Sequence, residues 1–246
     1  MPLPDIVSHD EWRTARTELL AEEKAMTRAR DALSTRRRQL PMVRVEKDYR
    51  FEGAGGEVGL LDLFEGRSQL IVQHFMFDPE WEDGCPSCTA GADEISDGLM
   101  AHLATRDTTL ALISRAPYPK LARYRDGRGW KVPWYSSFGG DFNYDFHVTI
   151  DATRAPVEWN FRGPAELEEH GQGWLLESSW EQPGHSAFLA VDGEVFHTYS
   201  AYARGSEWLG GSYAFLDLTA LGRQEEWEEP KGRADSVRGA VPDFAT

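Results

Sequence analysis

The first forty residues carry an apolar pattern that predicts one long helix. Ser8 and Glu11 have the S-x-x-E spacing of a capping box, which marks a helix start. Behind them, an apolar residue recurs every seven positions. The repeating residues are Trp12, Leu19, Met26 and Leu33. Three arginines at 36–38 suit the negative end of a helix dipole and Pro41 ends the pattern, so we expect the helix to stop near the arginines.

Such a helix is longer than a compact domain needs, so we expect residues 1–41 to form a helical arm. The arm packs either along its own domain or against a second copy of the chain. A homodimer through this helix is therefore one expected assembly. Glu22 interrupts the apolar repeat and argues against a strict coiled coil.

The rest of the chain alternates predicted strands and helices. Residues 70–77 form a near-continuous apolar run, typical of a central strand covered on both faces. A second buried strand is predicted over 108–114, and a right-handed crossover places it parallel to the first. Later, residues 186–191 and 194–199 flank Asp192-Gly193, a strong hairpin signal. We therefore predict an α/β protein whose mixed central sheet ends in an antiparallel hairpin.

The two cysteines of the chain stand together as Cys85-Pro86-Ser87-Cys88, after the first buried strand and the loop 78–84. A helix is predicted to follow, with residues of one buried stripe at spacings of four, three, four and four. They are Cys88, Ala92, Ile95, Leu99 and Leu103. Pro86 suits the first helical position, where its missing N–H costs nothing. The pattern predicts a buried Cys88 and a Cys85 at the exposed end of the helix.

An accessible thiol beside a sheltered one is what dithiol exchange requires, since the first attacks a disulfide and the second resolves the mixed disulfide. The helix N-terminus favours a thiolate at Cys85, whereas four carboxylates in the preceding loop oppose it. No second C-x-x-C pair exists to complete a structural zinc site, and one bridge across four residues constrains the unfolded chain little. The pair is therefore either catalytic or a buried, inert pair of small apolar side chains.

Composition narrows the class of protein. The chain has 246 residues and a formal net charge of −15, which disfavours binding to nucleic acid or anionic lipid. Its start lacks an apolar stretch behind a basic end, and no window approaches the roughly 18 apolar residues of a membrane span. We expect a cytoplasmic protein that binds neither nucleic acid nor membranes and needs no cofactor or metal.

Parallel central strands, a dithiol at the start of the first helix and a terminal hairpin describe a thioredoxin-like, three-layer fold. The chain also resembles a bacterial family of predicted dithiol-disulfide oxidoreductases, formerly a family of unknown function, from about His9 to Arg223. The matching stretches are Trp12–Arg16, Leu19-Leu20, Glu23-Lys24, Phe75–Cys88, Ser114–Pro117, Gly129-Trp130, Pro133-Trp134 and Tyr199–Gly205. The resemblance implies the same fold and activity. The expected division is the arm, a thioredoxin-like domain over 42–223 and a loose acidic tail over 224–246.

One departure from thioredoxins affects the expected substrate edge. In that fold a cis-proline normally begins the strand opposite the dithiol, whereas here the predicted strand opens at Ser186, three residues after Pro183. We therefore expect His185 or Ser186 to lie near the cysteines and to exchange a proton with them. The alternative is that His185 is a solvated bystander.

An aromatic-rich insertion is predicted over residues 130–183. Its aromatic residues are Trp130, Trp134, Tyr135, Phe138, Phe142, Tyr144, Phe146, Trp159, Phe161, Trp174 and Trp180. They either enlarge the core or form a lid or pocket wall that limits substrate size. Trp81, four residues before Cys85, either shields the disulfide or packs in the core.

Pro86 and Ser87, between the cysteines, are expected to bind substrate or support the site. Two further residues are expected to do the same. Tyr199 and Arg204 lie just past the hairpin, and Arg204 is a candidate cation that stabilises a thiolate or binds an acidic group of the substrate. The alternative for Arg204 is a structural ion pair with one of the 41 acidic residues.

These patterns predict a thiol-disulfide oxidoreductase in which Cys85 attacks and Cys88 resolves, acting on an unidentified disulfide or thiol substrate. A peroxiredoxin-like peroxidase is a weaker alternative, because Glu82 stands where such enzymes need threonine or serine. A soft metal ion held by the cysteines with His147 or His185 is weaker still. A non-enzymatic interaction module, using the arm and the aromatic insertion, is the remaining alternative.

Overall fold

The computed structural model describes residues 4–209, 211–227, 229 and 231. These residues belong to two compact units: residues 4–41 with the described part of Ala214–Arg238, and Met42–Tyr213. Most of the predicted acidic tail over 224–246 lies outside the described residues. No helix in the described ranges is long and apolar enough to cross a membrane.

The long helix predicted near the start is α1, His9–Arg38, and its predicted ends are confirmed. The Ser8 side chain accepts a hydrogen bond from the Glu11 backbone N–H, and the Glu11 carboxylate accepts one from the Ser8 backbone, which completes the capping box. The arginines at 36–38 occupy the last turn. No residue of α1 is buried. Its packing on its own domain or on a second copy stays a prediction.

The second unit is built on an eight-stranded mixed sheet. Its strands are β1 (Val43–Arg44), β2 (Arg50–Gly53), β3 (Gly56–Gly59), β4 (Gln69–His74), β5 (Thr108–Ser114), β6 (Trp134–Ser136), β9 (Gly184–Val191) and β10 (Glu194–Tyr202). A separate pair consists of β7 (Thr149–Ile150) and β8 (Trp180–Glu181). The order in the large sheet is β1-β10-β9-β4-β5-β6-β2-β3.

Six further α-helices and three short 3₁₀ helices connect these strands. The α-helices are α2 (Pro86–Asp93), α3 (Asp97–Ala104), α4 (Tyr118–Arg128), α5 (Phe142–Asp145), α6 (Pro164–Glu169) and α7 (Gly211–Leu216). The 3₁₀ helices span Leu60–Phe64, Gly173–Leu176 and Ala203–Leu209. The counts refer to the described part of the chain.

The pairing of the central strands confirms the thioredoxin-like α/β fold. β4 and β5 are parallel, and β5 continues parallel to β6. β9 is antiparallel to β4, with Gly184 opposite His74, and β10 returns antiparallel to β9. The hairpin turns at Asp192-Gly193, where both residues have positive φ, as a type I′ turn requires.

Side chains alternate between the two faces of this sheet, and each face has its own apolar cluster. On the dithiol face, Leu112 of β5 packs with Cys88 of α2 and Leu121 of α4. On the opposite face, Val72 of β4 and Phe188 of β9 pack with residues of the 3₁₀ helix Leu60–Phe64. The dithiol helix therefore lies on one face only.

The helix predicted after the cysteines is two helices, so the single continuous stripe was wrong. α2 ends at Asp93, and Ser96 caps α3 by accepting a hydrogen bond from the Leu99 N–H at 3.1 Å. The cap starts a new helix direction, and Leu99 is exposed as a result. The apolar spacing continues from α2 into α3, so the sequence pattern did not reveal the break between the two helices.

The aromatic insertion contributes to three separate cores, which favours the interpretation as an enlarged core. Trp134 packs on the dithiol face, while Phe142 and Phe146 pack on the opposite face. Trp159 packs against a third cluster, formed with Leu167 of α6 and other apolar residues. The exposed aromatic residues of the insertion are Phe138, Phe161, Trp174 and Trp180.

Candidate active site

The dithiol lies at the start of α2, as predicted. Cys85 is the residue before the helix and Pro86 is its first residue. The Cys85 N–H donates to the Met76 carbonyl at 3.0 Å, which ties the turn to the chain that leaves β4. Gly84 is required here, because a Cβ at this position would come within 2.6 Å of the Phe75 ring. The loop therefore approaches the aromatic cluster closely just before the first cysteine.

Thr89 fixes the carbonyl of Cys85 from one turn further along α2. Its N–H and its hydroxyl both donate to the Cys85 oxygen, each at 2.9 Å. The Thr89 hydroxyl has one proton, so the Tyr124 hydroxyl at 3.0 Å is the donor in their contact. Through Thr89, the attacking turn is connected to α4.

The two thiols are free and adjacent, but Cys85 is more buried than predicted. Cys88 is 6% exposed, which confirms the prediction for this residue. Cys85 is 9% exposed, so its expected position at an exposed tip was wrong. The reason is that Cys85 belongs to the same apolar cluster as Phe75 and Phe77, which cover the turn. A narrow part of Cys85 remains open to solvent.

The hydrogen bonds at this turn give the two thiols opposite protonation. The Cys88 thiol donates to Cys85, and the backbone N–H groups of Cys88 and Ser87 add to it, so the pKa of Cys85 is lowered to about 6 in spite of burial. The same contact, together with burial and the neighbouring thiolate charge, raises the pKa of Cys88 well above its ordinary value. At neutral pH, Cys85 is the thiolate and Cys88 holds the proton.

A partly buried charge cluster centred on Arg115 was missed by the sequence interpretation. Arg115 donates to Glu181 at 2.7 Å and to Asp78, and its guanidinium reaches the Tyr144 hydroxyl at 3.5 Å. The Thr149 hydroxyl donates to Glu181 as well, at 3.0 Å. The negative charge of Glu181 contributes to the raised pKa of Cys88. Burial raises the pKa of Glu181 itself, and Arg115 opposes that rise.

A sequence signal for part of this cluster was present. Arg115 follows β5 directly, and Asp78 follows the apolar run that begins at β4. The carboxyl ends of parallel neighbouring strands meet at one edge of a sheet, where ligand sites form. That placement predicts contact between the two residues.

The strand opposite β4 starts earlier than predicted. β9 begins at Gly184, so Pro183 directly precedes the strand and the predicted start at Ser186 was wrong. His185 is opposite Gln73 on the dithiol face. Burial lowers the pKa of His185 to about 4, and its Nδ1 has no hydrogen-bond partner among the described residues. It is therefore no solvated bystander, and its proton exchange with the cysteines stays a prediction.

Ser186 faces away from the cysteines, which corrects the second half of that expectation. It pairs with Val72 on the opposite face of the sheet. Its hydroxyl lies 2.8 Å from Nε2 of His74 and 2.7 Å from the Ser200 hydroxyl. The alternation of strand side chains makes this unavoidable, because His185 and Ser186 are consecutive.

The remaining predicted residues are placed as follows. Trp81 is 39% exposed, and its carbonyl accepts a hydrogen bond from Lys120 of α4. Tyr199 is opposite Ala187 in β10 and so shares the dithiol face. Arg204 is bonded to Glu207 at 3.0 Å, which is the ion pair given as its alternative role. The roles of Trp81 and Tyr199 in substrate binding stay predictions.

A groove of about 650 Å³ lies beside the dithiol turn. Gly84 and Pro86, on either side of Cys85, line it, as do Thr89 and Tyr124. Its walls come from the loop before Cys85 and from α4, and none of its described lining residues belongs to the aromatic insertion. No group of three or more histidine, cysteine or acidic residues in the described ranges is arranged to hold a metal ion.

A comparison with curated proteins found no match. Among solved structures, the chain is similar to peroxidoxin BcpB from Mycobacterium tuberculosis, with 17% identity, a TM-score of 0.44 and coverage of 67% of this chain and 86% of that one. It is also similar to peroxiredoxin Q from Xanthomonas campestris, with 12% identity, a TM-score of 0.44 and coverage of 74% and 98%. A family model matches residues 1–238, and the chain therefore belongs to the family described as "Bacterial protein of unknown function (DUF899)".

Proposed function

We propose that the protein is a thiol-disulfide oxidoreductase with Cys85 as the attacking thiolate and Cys88 as the resolving thiol. The observation that supports this most strongly is the hydrogen bond from the Cys88 thiol to Cys85 at the start of α2. It keeps one sulfur ionised and its neighbour protonated, which is the division of roles that exchange needs. An inert pair of buried cysteines has no requirement for this difference.

The reaction proceeds in two displacements. The Cys85 thiolate attacks a substrate disulfide, forms a mixed disulfide and releases one substrate sulfur as a thiolate. Cys88 then loses its proton to solvent or to the leaving sulfur, attacks Cys85 and releases the second substrate sulfur. The substrate gains two electrons and two protons, and the protein is left with a Cys85–Cys88 disulfide. An external dithiol reductant must return it to the dithiol for the next cycle.

We place this activity in the bacterial cytoplasm, where thiol reductants keep such a pair reduced. We further propose that two copies associate through α1, because its heptad-spaced apolar residues are all exposed. They are Trp12, Leu19, Met26 and Leu33. Sedimentation equilibrium of the full chain tests this: Met26→Glu should shift a dimer toward the monomer, and a wild-type protein that is monomeric at all concentrations would refute it.

The experiment for the proposed activity uses two variants at the dithiol turn and one control. Cys85→Ser should reduce turnover of a chromogenic aryl disulfide to the uncatalysed rate, because the nucleophile is gone. Cys88→Ser should release one equivalent of product and then stop as a mixed disulfide visible by mass spectrometry. The control is His102→Leu, at an exposed position on α3 outside the expected site, and it should retain wild-type turnover. Unchanged turnover in Cys85→Ser would exclude the proposed mechanism.

A further inference from the structure

The groove beside the dithiol turn has one basic wall. Lys120, Arg123 and Arg128 of α4 all line it, whereas Leu121 is the residue that α4 buries in the core. In a chain with 26 basic and 41 acidic residues, such a concentration of positive charge is notable.

The three cations are not neutralised in the same way. Lys120 donates to two backbone carbonyls, those of Pro79 and Trp81, and so keeps its full charge. Arg128 lies over the Tyr124 ring at 5.6 Å and is 3.5 Å from an Asp93 oxygen. Arg123 is exposed and makes no hydrogen bond or ion pair within the described ranges. Arg123 is therefore the cation with donors available to a ligand.

The facing wall carries the opposite charge. Glu82 and Asp83 line the groove immediately before Gly84 and Cys85, and neither is paired with a cation in the part of the chain that is described. The groove therefore offers carboxylates on one side and guanidinium groups on the other. A ligand that has both an ammonium and a carboxylate matches both walls, whereas a ligand with one charge matches one wall and is repelled by the other.

We propose that the groove binds a small zwitterionic disulfide, formed by a cysteine-containing amino acid or short peptide, and presents it to Cys85. This rests on the proposed exchange activity and assigns its substrate class. Arg123 binds the ligand carboxylate, and Glu82 and Asp83 bind the ligand ammonium. A groove of about 650 Å³ has the size of a small-molecule site. The residues on both sides of Cys85 line it, so the bound disulfide lies against the attacking turn.

Four forms of one compound test the proposal: the disulfide of cysteinylglycine with free ends, with acetylated amines, with amidated carboxyl ends, and with both ends blocked. We expect kcat/KM to be highest for the free form and lowest for the amidated form, which keeps only its positive charge. Arg123→Gln should lower kcat/KM about fivefold for the two forms with free carboxylates, raise it for the amidated cation, whose repulsion is relieved, and leave the form with both ends blocked unchanged. Arg125→Gln is the matched control, because Arg125 is on the same helix but pairs with Asp126 outside the groove lining.

A binding measurement separates this inference from the proposed activity. S-methyl-cysteinylglycine cannot undergo exchange, so calorimetry with the Cys85→Ser/Cys88→Ser variant reports the groove alone. Tighter binding of this probe than of its acetylated amide, weakened by Arg123→Gln, would support the site even if no disulfide is reduced. Equal kcat/KM for all four disulfides, or equal binding of the two probes, would overturn the groove proposal while exchange itself stands.

Discussion

The two faces of the central sheet each bury a set of linked polar side chains, and the two sets behave differently. On the dithiol face, Cys88 donates to Cys85 beside the groove lined by Gly84 and Pro86. On the opposite face, a chain of hydrogen bonds runs from His74 through Ser186 and Ser200 to His197, with lengths of 2.8, 2.7 and 2.8 Å. Both sets consist of groups that other proteins use for catalysis.

Burial has opposite outcomes for the two sets because the Cys85 thiolate has hydrogen-bond donors, whereas Nδ1 of His74 has no acceptor among the described residues for the proton of a charged ring. His74 is fully enclosed between Phe142 and Phe146, and desolvation lowers its pKa to about 3, so it stays neutral. Cys85 is also desolvated, yet the Cys88 thiol and two backbone N–H groups stabilise its thiolate. Hydrogen bonds therefore keep the buried Cys85 in its charged, nucleophilic form, whereas the buried His74 stays neutral and has a structural role.

The largest expected effect comes from removing the guanidinium that pairs with the buried Glu181 carboxylate. Arg115→Leu leaves the Glu181 carboxylate buried without its ion-pair partner, and we expect a loss of about 3–5 kcal/mol in the free energy of unfolding. Urea denaturation at pH 7 measures this. The matched control is Arg115→Leu/Glu181→Leu, which leaves only the Asp78 carboxylate, 18% exposed, without its cation and should recover most of the loss. A single variant as stable as the double one would show that Glu181 does not need its partner.

The next largest effect is the pH dependence of stability that the buried histidines His74 and His185 cause. The pKa of His74 is about 3 and that of His185 about 4, both lowered by burial from an unfolded value near 6.5. Below pH 6.5 these histidines bind protons in the unfolded chain but not in the folded one, so the free energy of unfolding decreases as the pH falls toward 4. Above pH 6.5 neither group contributes. At pH 5 each costs about 2 kcal/mol. Urea midpoints at pH 7 and pH 5 measure the drop.

Single replacements assign that drop to each histidine. His74→Leu and His185→Leu should each reduce the stability difference between pH 7 and pH 5 by about 2 kcal/mol. The difference between two pH values cancels most of the constant effect of the substitution itself. His102→Leu, at an exposed position on α3, is the control and should leave the difference unchanged. If all three variants keep the full drop, carboxylates rather than buried histidines cause it.

Local signals were sufficient for much of this fold. The capping box at Ser8 fixes the start of α1, the apolar run 108–114 coincides with β5, and Asp192-Gly193 turns the hairpin. In each case the determining residues are within a few positions of one another. The same is true of the dithiol turn, where Pro86 begins α2 and Cys88 falls on its buried side.

Contacts between distant parts of the chain were not predictable in this way. Arg115 and Glu181 are 66 positions apart, and His74 and Ser186 are 112 apart. Periodicity tells which residues share a face but not what packs on that face, so it assigned an exposed position to Cys85 although Phe75 and Phe77 cover the turn. The continuous helix after Cys88 failed for a related reason, since an apolar spacing continues across a cap that redirects the chain.

The smallest expected effect isolates the hydrogen bond that distinguishes the two faces. In the wild-type protein, thiolate absorbance should appear with a midpoint near pH 6, the pKa of Cys85. Cys88→Ala removes the donor, so the pKa of Cys85 should rise by at least about one unit, equivalent to about 1.4 kcal/mol. Cys88→Ser keeps an O–H donor at the same place and should give a smaller rise. If the alanine and wild-type proteins titrate together, the backbone N–H groups of α2 alone determine the thiolate, and Cys88 acts only as the resolving thiol.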